Sequence, residues 1–100
     1  MKTYHYILDG KTPKPQPDIT EWTYWMENAD RVIKKTDLPY GAHISTIFLG
    51  IDHSFKESTP ILFATVIFGG DHDGYRERYS TWEEAVAGHE RCIKMTFEVN

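Results

Sequence analysis

The sequence predicts a small α+β domain: an antiparallel sheet of four to five strands with two helices, in the order β(β)αβββ(β)α. Three observations lead there. Residues 43–51 and 61–68 are dense in β-branched and aromatic side chains. Residues 19–30, and a second segment from about residue 81, repeat apolar side chains at helical spacing behind capping residues. The connections are mostly short, and parallel strands need long crossovers.

Residues 2–8 read as a strand, with Tyr4, Tyr6 and Leu8 alternating with His5 and Ile7. Asp9-Gly10 suits a tight hairpin turn. The return arm carries Pro13, Pro15 and Pro17, which lack N–H donors, so it reads as a short edge arm or an extended crossing into the next element. Asp18 with Glu21 forms a capping pair, and Ile19, Trp22, Trp25, Met26 and Ala29 make a stripe on a helix over 19–30. Residues 31–36 give a weaker strand, and residues 37–41 have turn chemistry. The segments 43–51 and 61–68 are apolar on both faces, so each face expects a cover. Residues 52–60 are a polar loop, residues 75–79 a short strand, and residues 99–100 a tail. Ser80 with Glu83, or Thr81 with Glu84, opens the last helix, whose Trp82, Val86, His89, Ile93 and Thr96 fall on one face.

One hundred residues make one domain, spanning 1–100. Three Trp, six Tyr and five Phe give a short chain large side chains to bury. The formal charge of -4 weighs against tracking a nucleic-acid backbone. Cys92 is the single cysteine, so no disulfide forms within the chain, and no apolar run reaches membrane-spanning length. A soluble cytoplasmic protein without a cofactor is expected.

Five histidines invite a metal reading built on Asp52, His53, His72 and Asp73. If 43–51 and 61–68 pair antiparallel, Asp52 and His53 lie at the opposite end from His72, and the spacing matches no zinc pattern. Turn carboxylates and solvated imidazoles explain these residues better. His89 suits a core histidine better than a general base, and Cys92 a buried thiol better than a nucleophile. Arg76 and Arg78 alternate with Tyr75, Glu77 and Tyr79. Two arginines on one strand face can grip a phosphate or a carboxylate, the helix start at Ser80 adds N–H groups, and Tyr75 or Tyr79 offers a ring to stack on. An edge strand kept soluble by charge is the plainer explanation. Tyr24, on the outer face of the first helix, is a candidate partner contact.

The stretches 43–53 (HISTIFLGIDH) and 60–70 (PILFATVIFGG), then 78–85 (RYSTWEEA) and Gly88-His89, resemble a group of short proteins of unknown function encoded by tailed bacteriophages and prophages. The resemblance covers roughly residues 40–93 and supplies no catalytic residues. It implies a non-enzymatic accessory protein of the host bacterial cytoplasm that binds a host protein, an antiviral defence component among the candidates. A binder of a small anionic nucleotide and a metal-dependent hydrolase stand as alternatives. Two helices hardly cover both faces of the sheet, so a homodimer or higher oligomer pairing sheets face to face is also expected.

Overall fold

The computed structural model describes residues 4–54 and 59–97. Residues 2 and 3 of the first expected strand, residues 55–58 of the polar loop and the tail at 99–100 lie outside these. The chain runs β1 (Tyr6–Asp9), β2 (Thr12–Pro15), α1 (Ile19–Asn28), β3 (Val32–Asp37), β4 (His43–Phe48), β5 (Phe63–Phe68), β6 (Arg76–Tyr79) and α2 (Trp82–Phe97), with a 3-10 turn at Pro39–Gly41 before β4. It is an α+β fold of the expected order.

The strands divide into two sheets. β3-β4-β5-β6 form an antiparallel meander, and β1-β2 form a separate hairpin. Gly10, at φ 62°, opens the hairpin turn. Both prolines of β2 oppose β1, where their missing N–H groups cost least at an edge. The hairpin lies against the irregular continuation of β4: Tyr6 donates its N–H to Gly50, Asp52 to Tyr4, and His5 bridges Ile51.

Asp18 caps α1 by accepting from the N–H groups of Thr20 and Glu21. Only half of the expected capping box forms, because the Asp18 N–H is taken by the Gln16 side chain. Trp22 Nε1 donates to the carbonyls of Tyr6 and Gly50, pinning α1 to the hairpin and to the end of the sheet. Trp25 packs edge-on against Phe48, with ring centroids 5.7 Å apart. At the other helix, Thr81 and Glu84 complete a reciprocal capping box, the second of the two expected pairings.

α2 packs across all four strands of the meander. Its buried residues are Ala85, Gly88, His89 and Cys92. This face is rotated from the expected one: His89 is buried as expected, but Trp82, Val86, Ile93 and Thr96 sit on its half-buried shoulders. Gly88 explains the rotation. A methyl there would run into the hydroxyl and ring of Tyr79, so the helix sits closest where it lacks a side chain.

The core lies between α2 and one face of the meander. Phe48, Leu62, Phe63, Tyr79 and Ala85 form its larger part together with Tyr6 of the hairpin, and Ile44, Ile67 and Cys92 the smaller. β4 shows the consequence: Ile44, Thr46 and Phe48 are buried while His43, Ser45 and Ile47 are half-buried. The expectation that each face carries a cover is met on one side only. α1 packs on β1 and the Phe48 end of the sheet, so among the described residues no helix lies across the second, open face.

Candidate functional site

Strand alternation and register place the residues of the open face in three rows. Val32, Ile47, Ala64 and Arg78 form the first, Lys35, Ser45, Val66 and Arg76 the second, and Asp37, His43 and Phe68 the third. A β-bulge between Val32 and Lys34 puts Val32 on this face together with Lys35. The middle of the face is apolar: Ile47 and Val66 are half-buried, Val32 is 48% exposed and Phe68 43%. Phe68 stacks on His43 with centroids 4.8 Å apart and planes at 21°.

Cations flank this centre. Arg76 and Arg78 stand on one edge and Lys35 on the other, all exposed. Among the described residues none of the three has an ion pair or a side-chain hydrogen bond, although Lys14, Lys34 and Arg91 each have a carboxylate partner. Asp37 is the single carboxylate in the three rows. The acidity of the whole chain therefore does not extend to this face. Beyond its Phe68 end stands Tyr40, fully exposed and held at φ 68°, ψ 22° in the 3-10 turn. A non-glycine residue seldom adopts that conformation.

The residues expected to bind an anion do not form one site. Arg76 and Arg78 share the open face. The side chains of Tyr75 and Tyr79 instead reach Glu77, into whose carboxylate both hydroxyls donate, at 2.6 and 2.7 Å, beside Arg91 at 3.0 Å. Tyr79 is buried, and desolvation first, then its hydrogen bond to Glu77 and the charge there, outweigh an opposing bond with Thr65 and push its hydroxyl pKa well above the usual phenol value. Desolvation alone would raise the Glu77 carboxyl, but the bonds from Tyr75, Tyr79 and Arg91 prevail and hold it below its ordinary value. The N–H groups of Ser80 and Thr81 are also occupied, both donating to Glu84. The expected Thr81–Glu84 capping pair is therefore what fills the helix start, leaving those N–H groups no free capacity for an anion.

The metal reading fails on distance and on use. Asp52 lies past the end of β4, accepts the N–H of Ser54 and Ile61, and is buried. His72 and Asp73 follow the far end of β5, a six-residue strand away, roughly 20 Å. Asp73 accepts the Gly69 N–H as a turn residue. Among the described residues no group of three or more His, Cys, Asp or Glu side chains is placed to hold a metal ion. Cys92 is buried, and desolvation with the nearby Glu77 charge pushes its thiol up to about 11, leaving no thiolate near neutral pH.

His89 occupies a polar layer under α2. Its Nε2 meets Thr36 Oγ1 at 2.8 Å and its Nδ1 meets Thr46 Oγ1 at 2.7 Å, with Thr46 in turn bonded to Thr65. Thr46, Thr65 and Glu77 are direct cross-strand neighbours, so the layer follows one row of the sheet. It is closed by the ion pairs Lys34–Glu90 and Glu77–Arg91. Both ring nitrogens of His89 are committed to threonine, an arrangement that holds structure together. Tyr24 is 61% exposed and lines a shallow depression with Glu21, Trp25, Asn28 and Ala29. It lies on α1, whereas the open face is built from the strands of the meander.

No family model matches the chain, and no curated protein and no solved structure gives a significant match. No helix among the described residues is long and apolar enough to cross a membrane.

Proposed function

We propose that the chain is a non-enzymatic binding protein whose interaction surface is the open face of the meander. The carrying observation is the combination on that face: an apolar centre of Ile47, Val66 and Phe68 flanked by Lys35, Arg76 and Arg78 without partners of their own. Arginine and aromatic side chains around an apolar centre are the composition of interface hot spots. The resemblance to phage proteins of unknown function supports an accessory role in an infected bacterium, acting on a host protein, with inhibition of an antiviral defence component as the specific form. The face calls for a partner surface that is acidic around an apolar patch.

Capture from bacterial lysate tests this with two baits, the wild-type chain and Val66→Glu. The substitution places a carboxylate at the centre of the face without entering the core. A host protein retained by the wild type and lost by the variant, at equal thermal stability of the two baits, is the expected result. A partner held equally by both, or turnover of a small substrate, overturns the reading.

A further inference from the structure

The two unpaired arginines belong to an edge strand whose backbone has an open side. The Tyr75 and Tyr79 carbonyls accept from the N–H groups of Ile67 and Leu62, so these residues turn their backbone toward β5. Arg76 and Arg78 alternate with them and turn their own N–H and C=O groups outward. Among the described residues β6 is the last strand in the sheet order, and neither arginine enters a backbone hydrogen bond beyond the sheet. Edges are commonly blunted by a bulge. β3, at the opposite edge, has one between Val32 and Lys34, but β6 pairs with β5 in regular register throughout.

We propose that β6 is the docking edge for an extended acidic segment of a partner protein, which adds as a fifth strand and sets alternate carboxylates against Arg76 and Arg78. This rests on the reading of the open face as the interaction surface and names how that surface is engaged. Strand addition supplies main-chain hydrogen bonds for affinity and alternate side chains for specificity. Directly opposed residues of paired strands share a face. Acidic residues at positions i and i+2 of the segment therefore meet the two guanidinium groups, and the residue between them faces Glu77 and Tyr75. Charge selects this occupant. A second copy of β6, paired antiparallel about a two-fold axis, sets Arg76 against Arg78 twice, and like charges directly opposite are destabilising. A nucleic-acid strand offers phosphates but no ladder of N–H and C=O groups.

A short soluble peptide with glutamate at alternate positions and threonine or valine between, titrated into the isotope-labelled chain, tests the proposal by amide chemical shifts and hydrogen exchange. The Arg76 and Arg78 amides are expected to shift and to exchange more slowly. Arg76→Ala and Arg78→Ala should each weaken binding by roughly tenfold. Methylation of the peptide's pairing nitrogens should abolish binding. Binding that survives methylation, or that shifts Ile47 and Val66 without protecting the two arginine amides, overturns strand addition and leaves the open-face reading standing. An oligothymidylate producing the same shifts more tightly than the peptide overturns it in favour of a nucleic acid. An absence of shifts at millimolar peptide also overturns it, whereas the open-face reading is judged separately by what Val66→Glu does to capture.

Discussion

His89 shows how one side chain holds the meander to its helix. It is fully buried, with a threonine hydroxyl on each ring nitrogen. Desolvation first, and the Lys34 charge second, depress its pKa below 6.5, against a smaller opposing effect of Glu90. The folded chain therefore keeps His89 neutral where the unfolded chain binds a proton. The contribution of His89 to stability should be flat from about pH 6.5 to 8 and fall as the pH drops below 6.5, since the unfolded state then holds more protons. Glu77, held below its ordinary value, adds a further loss at lower pH. Urea titrations at pH 8, 6.5 and 5 measure this. In His89→Leu the step between pH 7 and 5 should shrink, at a cost of about 1–3 kcal/mol for the threonine hydroxyls left unpaired. Gly88 makes a second prediction with an inverted sign. Alanine in place of glycine within a helix ordinarily stabilises by about 1 kcal/mol. Here the added methyl meets the Tyr79 hydroxyl and two carbons of its ring. Gly88→Ala should instead destabilise by roughly 1–3 kcal/mol. Tyr79→Phe should not rescue it, because the ring carbons remain; denaturation midpoints of the single and double variants decide.

Among the elements, α1 depends most on tertiary contacts: ten residues long, it has none that is fully buried. Isolated helices of that length are marginal, so its cap and the Trp22 bonds fix its place. Trp22→Phe keeps an aromatic ring but removes the donor to Tyr6 and Gly50. It should cost about 1–2 kcal/mol and speed amide exchange in β1 and β2 more than in β4 and β5. The helix starts and central strands were legible in the sequence because their signals are local: a capping pair, a run of β-branched residues, a proline-rich edge. The opposite-end argument for Asp52 and His72 was legible too, since it needs only antiparallel pairing. What escaped depends on three-dimensional approach. The α2 face was expected on Trp82, Val86, His89, Ile93 and Thr96, because large residues at helical spacing signal a buried stripe. His89 is buried as expected, but its buried companions are the small Ala85, Gly88 and Cys92, with Gly88 letting the helix approach Tyr79. The anion site around Arg76 and Ser80 dissolved because Tyr75 and Tyr79 turn to Glu77, away from the arginines, while the Thr81–Glu84 capping pair that was legible in the spacing fills the helix start. The bulge that brings Val32 and Lys35 to one face has no local signature in this sequence.

At the scale of the whole molecule, charge is distributed against the net value. The chain carries -4, yet the open sheet face presents Lys35, Arg76 and Arg78, unpaired among the described residues. The premise of the expected homodimer, an uncovered apolar face, is met. Its partner is a separate question, and the charges bear on it. A two-fold axis parallel to the strands lays Arg76 of one copy over Lys35 of the other, which share a row. An axis across the strands lays β6 over β6. Either way the cations repel at separations where salt screens only in part. Self-association and acidic-partner binding should therefore respond to salt with opposite signs. Light scattering at micromolar concentration should give about 11.7 kDa near 0.1 M salt. Near 1 M, where the Debye length falls to about 3 Å, the mass should rise as repulsion is screened and the apolar rows pair. Arg76→Ala with Arg78→Ala should produce the rise at the lower salt. Binding of an acidic partner should weaken over the same range. A dimer already complete at low salt and indifferent to the two arginines would show that the face pairs with itself, and the partner-binding role would then have to move to another surface.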